Sequence, residues 1–333
     1  MRVIYSEKHR LHNANQIAQS DQPFATLEVP ARADEILRAV RSSPWAELAE
    51  PTDHGLEPIL AVHDADFVDF LRTAYAEEAQ PVFVNSFIGR RSLHLPRSIR
   101  GLKGYYAFGD DSPILQGTWE AAYWSAQCAL TGAEWLQAGE PAVYALCRPP
   151  GHHAASDLYG GTCYLNNAAI AARYLGAPTA ILDIDYHHGN GTQDIFYADK
   201  TVLHCSLHAD PDVEYPYFWG GADERGDGPG KGYNWNWPLP LGTTDVSYLE
   251  TLQEALAVVS DFAPTYLVIS AGFDIVANDP WGGFRVTTKG LHQIGRRIAA
   301  LRIRTLIVQE GGYLLDKLGE DAVAFLQAFV QHP

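Results

Sequence analysis

The chain has 333 residues, 47% of them hydrophobic, and a formal net charge of −16. That is enough apolar material for a large core, and no stretch of about 18 or more apolar residues is present to span a membrane. The acidic balance argues against broad binding to nucleic-acid phosphates, which needs basic patches, and it would steer a small cationic substrate inward, though ordinary solubility explains it equally well.

Met1-Arg2-Val3-Ile4-Tyr5-Ser6-Glu7 reads as a first strand, with no signal-peptide apolar region, so a cytoplasmic enzyme is expected. Ala31–Val40 and Asp64–Ala79 carry apolar residues at helical spacing, Ile36, Leu37 and Val40 in the first and Phe67, Phe70, Leu71 and Ala74 in the second. The stretch from Gln80 to Gly117 has no clean period. It is rich in Pro, Gly, Ser and aromatics (Phe83, Phe87, Tyr105, Tyr106, Phe108), and Arg90, Arg91, Arg97 and Arg100 form a basic island in it. A long irregular insertion of this kind is expected to be a lid or a subunit contact. Thr118 is expected to cap a helix running to about Gly139, with Glu120 in its first turn.

From there strands and helices alternate. Ala142–Cys147, Thr179–Ile184, Thr201–Leu207, Thr265–Ser270 and Ile303–Gln309 read as strands. Tyr164–Leu175, Asp245–Phe262, Thr288–Leu301 and Asp316–Val330 read as helices, and Asp210–Gly232 as a loop. Such alternation predicts an α/β fold: one domain over residues 1–333, a mostly parallel sheet with helices on both faces. Cys128, Cys147, Cys163 and Cys205 lack Cys-x-x-Cys spacing and lie in apolar contexts, so they are expected to be buried free thiols.

In such sheets the ligand site lies beyond the carboxyl ends of the strands. Four strand ends carry reactive groups: Arg148-Pro149-Pro150-Gly151-His152-His153, Asp183-Ile184-Asp185-Tyr186-His187-His188, Ala271-Gly272-Phe273-Asp274, and Glu310-Gly311-Gly312-Tyr313. Buried acids at a strand tip need compensation, and a divalent metal supplies it. Asp185 and His187, two apart on an extended segment, share one face. With Asp274 they make three ligands, suited to Zn²⁺ at roughly 2.0–2.2 Å and leaving an open position for water. His152 and His153 are expected as general base and acid partner, Asp183 as the acceptor that orients a histidine, and Tyr313 as donor to a developing oxyanion. Together these predict metal-assisted hydrolysis of an amide or ester. A two-metal site would need more bridging carboxylates than His188 and Gly189 offer, so one divalent ion is expected.

These motifs, with Asn190-Gly191-Thr192, Ser206-Leu207-His208, Gly104-Tyr105-Tyr106 and Gly117-Thr118-Trp119-Glu120, resemble the histone deacetylase superfamily over nearly the whole chain, most closely its bacterial acetylpolyamine amidohydrolases. The resemblance implies the arginase/deacetylase fold, with Zn²⁺ on Asp185, His187 and Asp274. It implies His153 paired with Asn190 as general base and acid, His152 paired with Asp183, Tyr313 polarising the acetyl carbonyl, and the Gly161 carbonyl accepting the substrate N–H. It also implies K⁺ near Asp183, Ser206 and Leu207 with the backbone of Asp185 and His187, and a second monovalent site around Phe196, Val202 and Tyr233, where Asp199 replaces a common threonine.

Tyr215 fits a tunnel wall, while Thr162 stands where Phe or Tyr is usual and should widen or polarise that side. The insertion at about 80–117 resembles a dimer-forming loop. Asp110 and Asp111 are the candidate acids for substrate ammonium groups, with Arg100 where another acid is expected. The function implied is zinc-dependent removal of acetyl groups from a small cationic acetylated amine, of the acetylputrescine or acetylcadaverine type, by a homodimer without nucleic-acid or membrane partners. The alternatives are a deacylase of acetyl-lysine peptides or other small amides, and a non-hydrolytic metal-dependent protein that binds acetylated ligands.

Overall fold

The computed structural model describes residues 1–15, 26–84 and 95–331. The expectations for Phe87, Arg90 and Arg91 therefore lie outside the described residues. Eight strands form one sheet: β1 (Arg2–Ile4), β2 (Glu47–Ala49), β3 (Ala142–Ala145), β4 (Thr179–Asp183), β5 (Val202–Ala209), β6 (Asn234–Leu239), β7 (Tyr266–Ala271) and β8 (Arg304–Gln309). Their order is β2-β1-β3-β8-β7-β4-β5-β6, and every pairing is parallel. The central strands are short apolar runs, Ala-Val-Tyr-Ala in β3 and Tyr-Leu-Val-Ile-Ser-Ala in β7, with every residue buried. A parallel sheet covered on both faces leaves no polar side for alternation to mark.

The helices are α1 (Pro30–Arg41), α2 (Glu57–Leu60), α3 (Ala65–Glu78), α4 (Ile99–Tyr105), α5 (Thr118–Gln137), α6 (Asn167–Leu175), α7 (Asn190–Phe196), α8 (Asp245–Phe262), α9 (Thr288–Ala299) and α10 (Leu315–Gln331). They divide between the two faces because strand side chains alternate. Leu182, Leu267 and Ile269 pack with Ile36 and Leu37 of α1, Leu252 and Leu256 of α8, Ile294 of α9 and Phe325 of α10. Ile181 and Val268 point the other way, into a cluster with Phe67 and Leu71 of α3, Ala129 and Ala133 of α5 and Ile170 of α6.

The expected strands and helices are present, with shifted ends. α5 is not capped by Thr118: Gly117 is its N-cap residue, and Thr118 is the first residue of the helix. The Thr118 hydroxyl instead accepts from the Leu115 N–H (2.7 Å) and meets His12 Nδ1 (2.9 Å), which ties it to the preceding loop. α6 starts at Asn167 rather than Tyr164, because the Asn166 side chain accepts from the Ala169 N–H and fixes the start there. The structure adds β2, β6, α2, α4 and α7. β2 and β6 are the two edges of the sheet, and Pro238 in β6 is tolerable at an edge. Within the 80–117 insertion, Val82 and Ile114 form an antiparallel bridge that joins its two ends.

Candidate metal centre and active site

The four strand tips singled out in the sequence belong to β3, β8, β7 and β4, which are neighbours in the sheet. Parallel strands end at one edge, so this order brings together groups up to 165 residues apart, as the hydrogen bond between Tyr144 and Gln309 at 2.6 Å illustrates. At that edge single ligand atoms of Asp185, His187 and Asp274 lie within 4.8 Å of one another. His187 Nδ1 is 3.2 Å from Asp185 Oδ1 and 3.2 Å from Asp274 Oδ2. The outer oxygens are held by backbone: Asp185 Oδ2 accepts from Gly311 N–H (2.8 Å) and Asp274 Oδ1 from Tyr186 N–H (3.0 Å).

Both carboxylates are fully buried. Burial and repulsion from Asp185 push the Asp274 carboxyl up to about 7, while the neighbouring His152 and His187 overcome burial and hold Asp185 well below the ordinary carboxylate range. Two buried acids facing one imidazole call for a cation. The backbone is shaped for it: a Cβ on Gly311 would come within 2.3 Å of Asp274 Oδ2 and 2.6 Å of Asp185 Oδ2. The donor set of two carboxylates and one imidazole fits a divalent ion with an open position.

Beside this cluster the two histidines have opposite electrostatics. His152 Nδ1 donates to Asp183 Oδ2 (2.9 Å), and its Nε2 lies 3.8 Å from Asp185 Oδ1. Burial disfavours its charge, but Asp185 and Asp183 outweigh it and raise His152 to about 10. His153 Nδ1 meets Asn190 Oδ1 at 2.7 Å, and Asn190 Nδ2 donates to the His153 carbonyl (3.5 Å), so the ring's Nδ1 carries the proton and Nε2 a lone pair. Burial, then His152 and His187, push His153 well below its usual range. Their surroundings thus favour the charged form of His152 and the neutral form of His153.

A cavity of about 420 Å³ opens onto the cluster, and His153, Gly161, Thr162, Tyr215 and Tyr313 all line it. Tyr215 meets His153 edge to face, ring centroids 5.2 Å apart, and stacks at 6.3 Å on Phe108. Thr162 is buried, takes a left-handed φ of 63° and leaves its hydroxyl without a partner among the described residues. Asp111 lines the cavity and accepts from Gly161 N–H (2.9 Å), whereas Asp110 is exposed and is not part of the wall. Burial pushes the Tyr313 hydroxyl well up, which keeps its proton on.

Asp183 and Ser206 are in register across β4 and β5, and Leu207 follows in β5. Phe196 ends α7, Val202 starts β5, and the Tyr233 carbonyl accepts from His204 N–H beside it. Asp199 accepts a salt bridge from Arg173 (2.7 Å).

Several supporting groups escaped the sequence reading. Arg32 donates to the carbonyls of Gly312 and Glu310 (2.6 Å each), and its guanidinium lies 4.4 Å over the Tyr313 ring. Glu28 pairs with Arg32 (3.0 Å) and with Arg148 (2.8 Å), all three buried. Asp279 accepts from Tyr313 N–H (2.7 Å) and Leu314 N–H (3.0 Å), and Trp281 packs on Tyr313 at 4.2 Å. Glu310 accepts from the N–H of Gly151 (2.7 Å) and of His152 (3.2 Å), which holds the paired histidines. Arg148 and Glu310 stand in the strand-end runs without a role of their own there, and the i, i+4 pair Glu28–Arg32 looks in sequence like any surface pair. The thiol of Cys163, near His152 and Glu310, is pushed well up by burial and carries no thiolate.

The chain is similar to acetylpolyamine amidohydrolase 1 of Pseudomonas aeruginosa, 44% identical with 99% of each chain covered. It is 45% identical to the acetylpolyamine amidohydrolase of Burkholderia pseudomallei, over 99% of this chain and 98% of that one. The crystal structure of an acetylpolyamine aminohydrolase from Burkholderia pseudomallei superposes with a TM-score of 0.94 at 41% identity, covering 99% of this chain and 98% of that chain. The histone deacetylase domain matches residues 26–329, and the chain belongs to the histone deacetylase domain family.

Proposed function

We propose that this protein is a metal-dependent amidohydrolase that removes acetyl groups from acetylpolyamines and acetylated diamines. The observation that carries it is the convergence of Asp185, His187 and Asp274 within 4.8 Å, with His187 lining a cavity that His153 and Tyr313 also line. The full-length similarity to acetylpolyamine amidohydrolases directs the reading to polyamine amides.

Asp185, His187 and Asp274 would hold the ion, Zn²⁺ by the preference of such a donor set; when bound it supplies Lewis acidity to the amide carbonyl and to water. His153, its Nδ1 held by Asn190, takes a proton at Nε2 from the attacking water as the C–O bond forms. The Tyr313 hydroxyl donates to the carbonyl oxygen as negative charge develops there. The Gly161 carbonyl accepts the substrate N–H and fixes the scissile bond. His153 then passes its proton to the amide nitrogen as the C–N bond breaks, and acetate and the free amine leave. Asp183 holds the His152 ring in place beside the site.

The same proposal assigns K⁺ to Asp183, Ser206 and Leu207 with the backbone of Asp185 and His187, and a second monovalent ion to Phe196, Val202 and Tyr233. It includes a cytoplasmic homodimer built through the 80–117 insertion. No helix of the described residues is long and apolar enough to cross a membrane. The test is acetate release from acetylputrescine, acetylcadaverine and an acetyl-lysine peptide by Zn²⁺-loaded protein. No acetate from any of them refutes the proposal, and a higher kcat/KM on the peptide transfers it to the peptide deacylase.

A further inference from the structure

We propose that Glu214 is a specificity-determining residue that binds the free terminal ammonium of the substrate at the cavity wall. The assignment rests on the deacetylase reading of the same cavity. Glu214 follows β5 in the 210–232 loop and lines the cavity together with Tyr186, Tyr215, Leu241 and Trp281. It is half-buried. Its carboxylate is fixed at both oxygens: Oε2 accepts from the Tyr186 hydroxyl (2.9 Å) and Oε1 from the Tyr215 N–H (3.1 Å). A carboxylate offers about four acceptor positions, so about two are left. Both present partners are neutral, and among the described residues no cation pairs with it.

The placement suits a short diamine. The Tyr186 ring meets His187 at 5.0 Å, edge to face, and the far end of that ring reaches Glu214. Glu214 is therefore one tyrosine side chain away from the metal-ligand cluster. Tyr215 and Trp281 line the same cavity as His187 and Glu214, surfaces that suit methylene groups. A fixed, partly desolvated carboxylate loses little freedom on pairing and is less screened than one on the open surface.

Asp111 does a different task. Its Oδ1 takes both the Ser112 hydroxyl (2.7 Å) and the Gly161 N–H (2.9 Å), which locks the turn that presents the Gly161 carbonyl. Burial also pushes its carboxyl up. Charge recognition thus falls to Glu214, and Asp111 is a positioning residue.

The test compares kcat/KM for acetylputrescine with kcat/KM for its uncharged isostere N-pentylacetamide, in the Zn²⁺-loaded wild type and in Glu214→Gln. The wild type is expected to favour the cationic amide, and the variant's cationic-to-neutral ratio is expected to fall at least about tenfold, the value of one hydrogen bond to a charged group. Because the readout is a ratio within one preparation, a general loss of folded enzyme cancels. An unchanged ratio in the variant, or no wild-type preference for the cation, overturns the role of Glu214 and leaves the deacetylase reading intact. Absence of wild-type turnover on both amides overturns this assignment, and the deacetylase reading falls with it only if acetylcadaverine and an acetyl-lysine peptide also release no acetate.

Discussion

Replacing Glu28 with Gln keeps the shape of that side chain and removes its charge, which exposes how much the site leans on one buried carboxylate. Glu28 Oε1 accepts from Arg32 Nη1 (3.0 Å), Oε2 accepts from Arg148 Nη2 (2.9 Å), and Arg148 Nε lies in ion-pair contact with Oε1 (2.8 Å). All three side chains are at most 3% exposed. In the variant two buried guanidinium groups face each other without a countercharge, a loss of about 3–5 kcal/mol. For 333 residues the unfolding entropy is about 0.7 kcal/mol per kelvin, so Tm should fall by about 6 °C. Arg32 also holds the carbonyls on either side of Gly311 and underlies Tyr313, so turnover should drop in the folded variant as well. Burial alone would raise the Glu28 carboxyl, but Arg148 and Arg32 overcome it and lower it. A folded pKa below the unfolded one means that the contribution is complete at neutral pH and is lost as pH falls through the folded value. The Tm gap between wild type and variant should therefore hold from about pH 5 to 8 and narrow in acid. Calorimetric scans of both proteins measure it, and a variant Tm within about 1 °C of wild type at neutral pH would refute the reasoning.

Tyr313→Phe removes the hydroxyl donor and should lower kcat by about 100- to 1,000-fold while substrate still binds; unchanged kcat in steady-state assays removes Tyr313 from the chemistry. Gly311→Ala forces a Cβ to within 2.3 Å of Asp274 Oδ2 and 2.6 Å of Asp185 Oδ2. It should weaken Zn²⁺ affinity by about tenfold or more in competition with a chelator, on the scale of disturbed ligand geometry; wild-type affinity would show that the two carboxylates do not form the site. Stripping the metal should abolish acetate release and lower Tm, since an ion held at about 1,000 times its Kd adds about 4 kcal/mol. Re-addition of Zn²⁺ should restore both, and turnover that survives complete removal would disprove the metal assignment.

The central part of the fold was open to reading because β3, β4, β7 and β8 are buried on both faces and so appear as uninterrupted apolar runs. The edge strands were not. β2 has three residues, and β6 reads Asn-Trp-Asn-Trp-Pro-Leu, with polar groups that edge strands tolerate. α7 was hidden because its first residues, Asn190-Gly191-Thr192, look like a turn. Asp185, His187, His152, His153 and Tyr313 were visible because each sits in a local run of unusual chemistry just after a strand.

By itself the sequence determined which strands are central and which side chains stand at their tips, because both depend on neighbours within a few residues. Only tertiary structure decided what those tips meet. The order β3-β8-β7-β4 sets Asp274 against His187 across 87 residues, packing of the segment before α1 sets Glu28 against Arg148 across 120, and a loop after β5 places Glu214 in the cavity wall. Such pairs leave no periodic trace in the chain: their energy comes from removing charges from water together, and the burial that makes them costly to break exists only once distant segments have packed.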